Sequence, residues 1–133
     1  MRLWHYKIIS YLPDKQLKAQ WRELNAIFVN EPKHILINYV YEYRKQDLYT
    51  YSQLVIEEMK NRGFNRSLYN FDFYFKNAGF LSDYYEHPFK EHHNNRYLLQ
   101  CFYNLQEKYD RGQEGFTKEQ YSKLEEFINN EIY

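Results

Sequence analysis

Arg22 and Glu23 lie side by side in a stretch, Ser10 to Phe28, whose apolar residues recur at helical spacing. Leu17, Trp21, Leu24 and Phe28 form one stripe. At ~100° per residue, Glu23 falls roughly 130° from that stripe, and Arg22 also points off it. From residue types alone the pair reads as an ordinary solvated helix face. Its chemical capacity is nonetheless defined. A carboxylate can accept a proton or stabilise positive charge, and a guanidinium can hold a phosphate. Other groups point nowhere definite. His87, Glu91, His92 and His93 carry metal-ligating atoms, but their spacing matches no standard site. Cys101 lies on an apolar stripe and reads as core rather than nucleophile. There is no phosphate-binding glycine loop, no nucleophile elbow and no paired-cysteine metal site.

The elements that must position these residues are helices. Pro13 and Asp14 mark the start of the first, with Asp14 the expected N-cap, and Asn30, Glu31 and Pro32 end it. A second helix is expected over about His34 to Tyr43, followed by a turn or kink at Arg44 to Asp47. Leu48, Tyr51, Val55 and Met59 mark the next, closed by Lys60 and Arg62 in its last turn and by Gly63 with Phe64 after it. Residues 64–92 are rich in aromatics without a clean period and read as a long ordered loop. Leu98, Cys101, Leu105 and Tyr109 give another helix, stopped by Gly112. Thr117 and Gln120 form a capping box for the last, whose core face is Tyr121, Leu124, Ile128 and Ile132. No segment alternates as a strand would. The expected fold is all-α, a compact single domain of about four to five helices with a long aromatic-rich loop.

A chain of 133 residues can bury a core without metal or disulfide staples. That core must lean on tyrosine: aromatics make up 21% of the chain, 16 of them Tyr, although the mean hydropathy is −0.90. Tyrosine fills space while keeping a polar tip. Some rings could also stack on bases. The formal net charge is zero, so no global basic field exists to draw in nucleic acid. The charge is uneven, however. Residues 1–45 carry a net +4 and residues 113–133 a net −3, so a polyanion would favour the N-terminal part. The lone Cys101 suits a reducing compartment. With no apolar run near the ~20 residues of a membrane span and no leader-like start, the expectation is a cytoplasmic protein.

The stretch from Ser10 to Phe28 resembles the phage-type pyrimidine-dimer DNA glycosylases, the endonuclease V family. The matching residues are Ser10, Leu12, Asp14, Leu17, Ala19, the run Trp21-Arg22-Glu23-Leu24, and Phe28. A second block agrees: His34 followed by apolar residues, then Lys60-Asn61-Arg62-Gly63-Phe64-Asn65. A third runs from His93 to Lys108 and begins with the His93-to-Leu98 motif of a cellular branch of the family, whose chains also start Met-Arg-Leu-Trp-His. These blocks cover about two-thirds of the chain.

The resemblance implies a DNA glycosylase with associated abasic-site lyase activity, with no cofactor and no metal. Its N-terminal α-amine attacks the sugar C1′ of a damaged nucleotide and forms an imine; a glutamate matching Glu23 assists, and β-elimination nicks the strand. An α-amine suits this task. With a pKa near 7.7–8.0 against 10.4 for lysine, roughly a tenth of it is neutral at pH 7. Relatives expose a small residue after methionine removal. Here residue 2 is Arg, so Met1 itself would supply the nucleophile. Met1 and Glu23 are thus the implied catalytic residues. Arg2, Arg22, Lys33, His34 and Lys108 are the implied DNA contacts, His34 having capping or packing as its bland alternative. An aromatic from 64–92 is expected to fill the gap left by a flipped nucleotide. The expected partner is double-stranded DNA with a damaged or abasic nucleotide, bound by a monomer.

This chain departs from the family pattern at Ala26, where relatives carry a further arginine, in a region after Phe28 shorter by about twenty residues, and in a C-terminus without the relatives' aromatic run. Two other readings stay open on residues alone: a nucleic-acid-binding module without catalysis, and a helical protein-interaction domain.

Overall fold

The computed structural model describes residues 1–76, 87–113 and 115–133. The fold is all-α, with no strand among those residues. Helix α1 (Asp14–Asn30) buries Leu17, Leu24 and Phe28, with Trp21 half-buried at the margin of the stripe. Its N-cap is Pro13 rather than Asp14. Proline has no N–H to satisfy and its fixed φ suits the entry to a helix. Asp14 becomes the first helical residue, where a carboxylate meets the positive end of the helix. Glu31 ends α1 in a left-handed conformation (φ 44°), and Pro32 cannot continue it.

The helix expected over His34–Tyr43 is not formed as such. A turn occupies 35–37 and a short 3₁₀ helix runs Asn38–Glu42. Side-chain acceptors win over the helical ladder here. Asn38 Oδ1 accepts the His34 N–H at 2.8 Å, and His34 Nδ1 accepts the Leu36 N–H at 3.1 Å. Ile37 and Val40 are the buried residues of this segment, and their three-residue spacing fits a 3₁₀ turn.

Helix α2 (Lys45–Asn61) begins inside the stretch expected to be a turn. Asp47, in its first turn, is buried because its carboxylate accepts the Phe89 N–H at 2.8 Å, a contact 42 residues away in the chain. The end of α2 follows expectation. Gly63 takes φ 84°, Gly63 N–H donates to Lys60 O and Phe64 N–H to Met59 O, which together make a Schellman cap. Arg62 does more than complement the helix end. It donates to Leu12 O at 2.7 Å and Ser10 O at 3.1 Å, and it pairs with Asp14 and Glu58. One guanidinium therefore pins the chain leading into α1 against the end of α2.

The stretch expected to be a loop over 64–92 contains a short helix, α3 (Phe71–Phe75); its residues 77–86 lie outside the described ones. Phe71 and Phe75 set their rings at 5.6 and 5.4 Å from Phe28, so aromatic packing on α1 drives the local coil into a helix. Helix α4 (Asn95–Asp110) is capped by Asn94 and closed at Gly112, φ 68°. Helix α5 (Lys118–Ile132) has the expected Thr117–Gln120 capping box and buries Tyr121, Leu124 and Ile128.

α1 packs on α2 and α3, and α4 packs on α5. A 3₁₀ helix over Tyr6–Tyr11 touches both α2 and α5 and joins the two groups. Leu3, Trp4 and His5, just before it, are buried. The beginning of the chain is therefore part of the core.

Candidate active site

Gln20 fixes the position of the chain's first residues. It lies on α1 one turn before Glu23 and is buried, and its carboxamide faces backbone. Gln20 Oε1 accepts the Trp4 N–H at 2.9 Å, and Gln20 Nε2 donates to Arg2 O at 3.1 Å. Two phenols complete the clamp. Tyr51 OH lies 2.7 Å from Trp4 O and 2.8 Å from Gln20 Oε1. Tyr97 OH donates to Leu3 O at 2.5 Å. α1, α2 and α4 each send one polar side chain to an otherwise unpaired backbone, satisfying it without a strand partner.

A second latch follows immediately. His5 Nδ1 accepts the Lys7 N–H at 3.1 Å, which leaves the proton on Nε2 to be donated to His93 O at 2.7 Å. His93 Nδ1 in turn accepts the Tyr6 N–H at 3.1 Å, and its Nε2 lies 2.7 Å from Tyr39 OH. Burial pushes the His5 pKa down to about 4 and that of His93 well below its ordinary value. Both rings serve as neutral hydrogen-bonding groups. His93 is thus a structural residue of the N-terminal segment.

Held in this way, Met1 and Arg2 meet Glu23 at a cavity of about 260 Å³ lined also by Trp4, Gln16, Ala19, Leu36, Asn104 and Lys108. Glu23 is half-buried, unlike its exposed neighbour Arg22. Its Oε2 is wholly buried and has no hydrogen-bond partner among the described residues. Burial raises the Glu23 carboxyl above its usual range; the positive Met1 amine is the largest opposing influence, ahead of His34 and Arg22. Buried carboxylates are normally satisfied, and unsatisfied ones gather where function demands them. The arrangement brings the residue that carries the chain's amine and a half-buried carboxyl group to one small space. An electrophilic carbon there would meet a nucleophile and an acid–base group together.

The site residues implied by the sequence separate into groups. Met1, Arg2, Glu23 and Lys108 line one cavity. His34 does not line the cavity; its Nδ1 accepts the Leu36 N–H and caps its own turn, which is the capping alternative. Arg22 sits beside Glu23 on the solvent side. Lys33 does not line the cavity; its ammonium lies 4.1 Å from the centre of the Tyr41 ring. None of the aromatics of 64–76 lines the cavity either. Phe71 and Phe75 pack on α1, and Tyr69 packs on Trp21. A larger hollow, about 500 Å³, lies between α2 and α3 and contains neither Met1 nor Glu23. Gln16, Gln20 and Asn104 escaped the sequence reading, which took Tyr51 only as part of a helical stripe and Tyr97 only as part of the His93-to-Leu98 motif. Gln20 carried a faint signal, since it lies on the same side of α1 as Glu23.

A family model for pyrimidine dimer DNA glycosylase matches residues 1–72, more than half of the chain, and spans the N-terminal segment, α1 and α2. The chain belongs to the pyrimidine dimer DNA glycosylase family. By family it is a DNA-repair glycosylase, and its substrate is DNA. The match takes in Met1, Arg2, Gln20, Arg22, Glu23, Lys33 and His34, and it stops short of the His93-to-Leu98 motif and of Lys108. No curated protein and no solved structure matches the chain. Among the described residues, no helix is long and apolar enough to cross a membrane.

Proposed function

We propose that this glycosylase works through the α-amine of Met1 and also acts as an abasic-site lyase on double-stranded DNA. The observation that carries the proposal is the shared cavity of Met1 and Glu23, in which one carboxylate oxygen is buried without a partner. The neutral amine nitrogen attacks C1′ of the damaged nucleotide. The C1′–base bond breaks and its electron pair leaves with the base. Opening of the C1′–O4′ bond gives an imine between Met1 and the sugar. A 2′-proton is then lost, the electrons shift into the chain, and the 3′-phosphate departs, which nicks the strand. Hydrolysis returns the amine. Glu23, as a carboxylate, stabilises the positive charge that develops at the sugar and shuttles the protons. Arg2 and Lys108, which line the cavity, and Arg22 and Lys33, which do not, hold phosphates, which positions the strand without reading its sequence.

The cavity is smaller than the roughly 300–1,000 Å³ of drug-sized sites. That size suits a single sugar or base turned out of the helix. The test is borohydride trapping on two duplexes, one carrying an abasic site and one a thymine dimer. Reduction of the imine fixes a covalent adduct, and peptide mapping should find it on Met1. Trapping on the abasic duplex reports the lyase step, and trapping on the dimer reports base removal as well. Absence of adduct on both duplexes with freshly folded protein would overturn the proposal in favour of a non-catalytic DNA-binding module.

A further inference from the structure

The Met1–Glu23 cavity has one wall on α1, made by Gln16, Ala19, Gln20 and Glu23, and another on α4, made by Asn104 and Lys108. Its charges are divided between the two helices. Among the described residues that line it, Glu23 is the only acid, and it stands on α1; Lys108 is the cation that α4 contributes. Two cationic side chains line the cavity, and they differ in what they already touch. The Arg2 guanidinium lies 5.8 and 5.7 Å from the centres of the Trp4 and Tyr97 rings. The Lys108 ammonium has no ion-pair, hydrogen-bond or ring partner among the described residues. Its neighbours one turn away on α4 are Asn104, Leu105, Arg111 and Gly112, none of them acidic. Glu107, beside it in the chain, lies 3.5 Å from Arg111. A cation in the last turn also complements the negative end of a helix. That role requires neither the half-burial of Lys108 nor its place in the cavity wall.

We infer that Lys108 is a catalytic residue of the strand-nicking step, where it holds the phosphate on the 3′ side of the attacked sugar as that phosphate departs. The inference rests on the imine chemistry proposed at Met1 and Glu23. In that chemistry the 2′-proton goes to Glu23, and the C2′–H electron pair becomes the C2′–C3′ double bond. The C3′–O bond breaks, and its electron pair stays on the phosphate oxygen. The phosphate enters as a diester with one negative charge and departs as a monoester with about two at pH 7. An ammonium beside it therefore binds the transition state more tightly than the substrate, which speeds the step instead of only tightening binding. Half-burial weakens the screening of that attraction by salt and water. Attack at C1′ adds no negative charge to the phosphate, so Lys108 should count for little in forming the imine. Its separation from Glu23 has a use as well. No ion pair joins the two, so the carboxylate stays available for the 2′-proton.

The test follows single turnovers on an abasic duplex at protein concentrations that saturate the DNA. Borohydride quenching at each time point fixes the covalent adduct, and denaturing gels divide it into intact and nicked strand. Lys108→Met removes the charge and keeps the apolar stem, Lys108→Gln removes it with a polar tip, and melting curves verify both folds. Each should form the adduct within about twofold of the parent's rate and convert intact adduct to nicked strand at least about tenfold more slowly, so that intact adduct accumulates. Lys108→Arg, which keeps the charge, should recover most of the nicking rate. Equal slowing of adduct formation and nicking in the uncharged variants would make Lys108 a binding contact alone, and no slowing of either would make it a bystander; both results overturn the inference. A parent that yields no adduct sinks the imine chemistry and this inference with it. A parent that yields adduct leaves that chemistry standing, and the variants then decide Lys108 alone.

Discussion

Gln20 Oε1 accepts the Trp4 N–H at 2.9 Å, and the same side chain donates to Arg2 O, one helical turn before Glu23. A single residue of α1 thus sets the distance between the chain's amine end and the carboxylate. Replacing Gln20 by Met keeps the volume and removes both hydrogen bonds. Buried backbone groups would be left unpaired, at a cost of about 1–3 kcal/mol. Displacing a reacting group by about 1 Å can cost on the order of 10²-fold in rate. The expected result is a lower melting temperature, borohydride trapping slowed about 100-fold, and DNA affinity little changed. Loss of affinity in step with trapping would mean that Gln20 supports the fold alone.

Glu23→Gln separates chemistry from architecture. The variant should nick abasic DNA at least about 10²-fold more slowly while binding DNA as before. Stability should also respond in a definite direction. Burial raises the Glu23 pKa above 4.5, so the folded state prefers the protonated carboxyl. That preference stabilises the fold below the unfolded pKa and is lost as pH rises through the folded one. The Gln variant carries no such penalty and should melt no lower than the parent at pH 7. Urea melts at pH 7 and pH 4 check this, the comparison tilting toward the parent at the lower pH.

The same displaced pKa should govern the rate. In the proposed chemistry Glu23 acts as a carboxylate, so single-turnover nicking should rise with pH through an acid limb placed above the ordinary 4.5. The limb should vanish in Glu23→Gln, whose residual rate should be flat over that range. An acid limb that persisted unaltered in the variant would assign the titration to another group.

Local rules made much of this fold readable in advance. The Leu17/Leu24/Phe28 stripe, the Gly63 and Gly112 stops and the Thr117–Gln120 capping box depend on neighbours within a turn or two of helix. The misread segments depend on distant partners. Asp47 starts α2 by accepting a hydrogen bond from Phe89, and α3 forms because Phe71 and Phe75 find Phe28. The pairing of Met1 with Glu23 came from resemblance to a known family. What holds the pair was not legible at all. Gln20, Tyr51 and Tyr97 reach the N-terminal backbone across separations of 16 to 94 residues, and no periodicity records such contacts.

The His5–His93 latch should make the N-terminal segment sensitive to acid. Both histidines titrate below 6.5 in the folded protein, His5 at about 4 and His93 well below its ordinary value, because burial disfavours the charged ring. Their stabilising contribution is complete above the unfolded value and is lost as pH falls from about 6.5 toward 4. For His5 the displacement corresponds to about 3 kcal/mol. Urea midpoints should fall steeply over that window, with less slope in His93→Gln, whose amide cannot take on the charge. Equal slopes in parent and variant would remove the latch from the acid response.

DNA affinity should fall as salt rises, since phosphate contacts release counterions on binding. The basic groups around the site are not equivalent. Arg2 and Lys108 line the cavity itself, and Arg22 stands beside Glu23 facing solvent. Lys123, on α5, lies 3.5 Å from Glu119 in an exposed pair and does not line the cavity. Arg22→Ala and Lys108→Ala should each reduce the slope of log K against log salt by about 1 and weaken binding to unrelated sequences alike. Lys123→Ala should leave both quantities unaltered. Arg22 contributes an opposing charge near Glu23 as well, so Arg22→Ala should also shift the acid limb of nicking upward, whereas a loss of phosphate contact alone would leave the limb in place. Salt titrations of the three variants on one duplex, with the pH profile of Arg22→Ala beside that of the parent, decide between a DNA-binding face centred on α1 and one elsewhere. An Arg22→Ala protein with the parent's affinity at every salt concentration would put the phosphates on another surface.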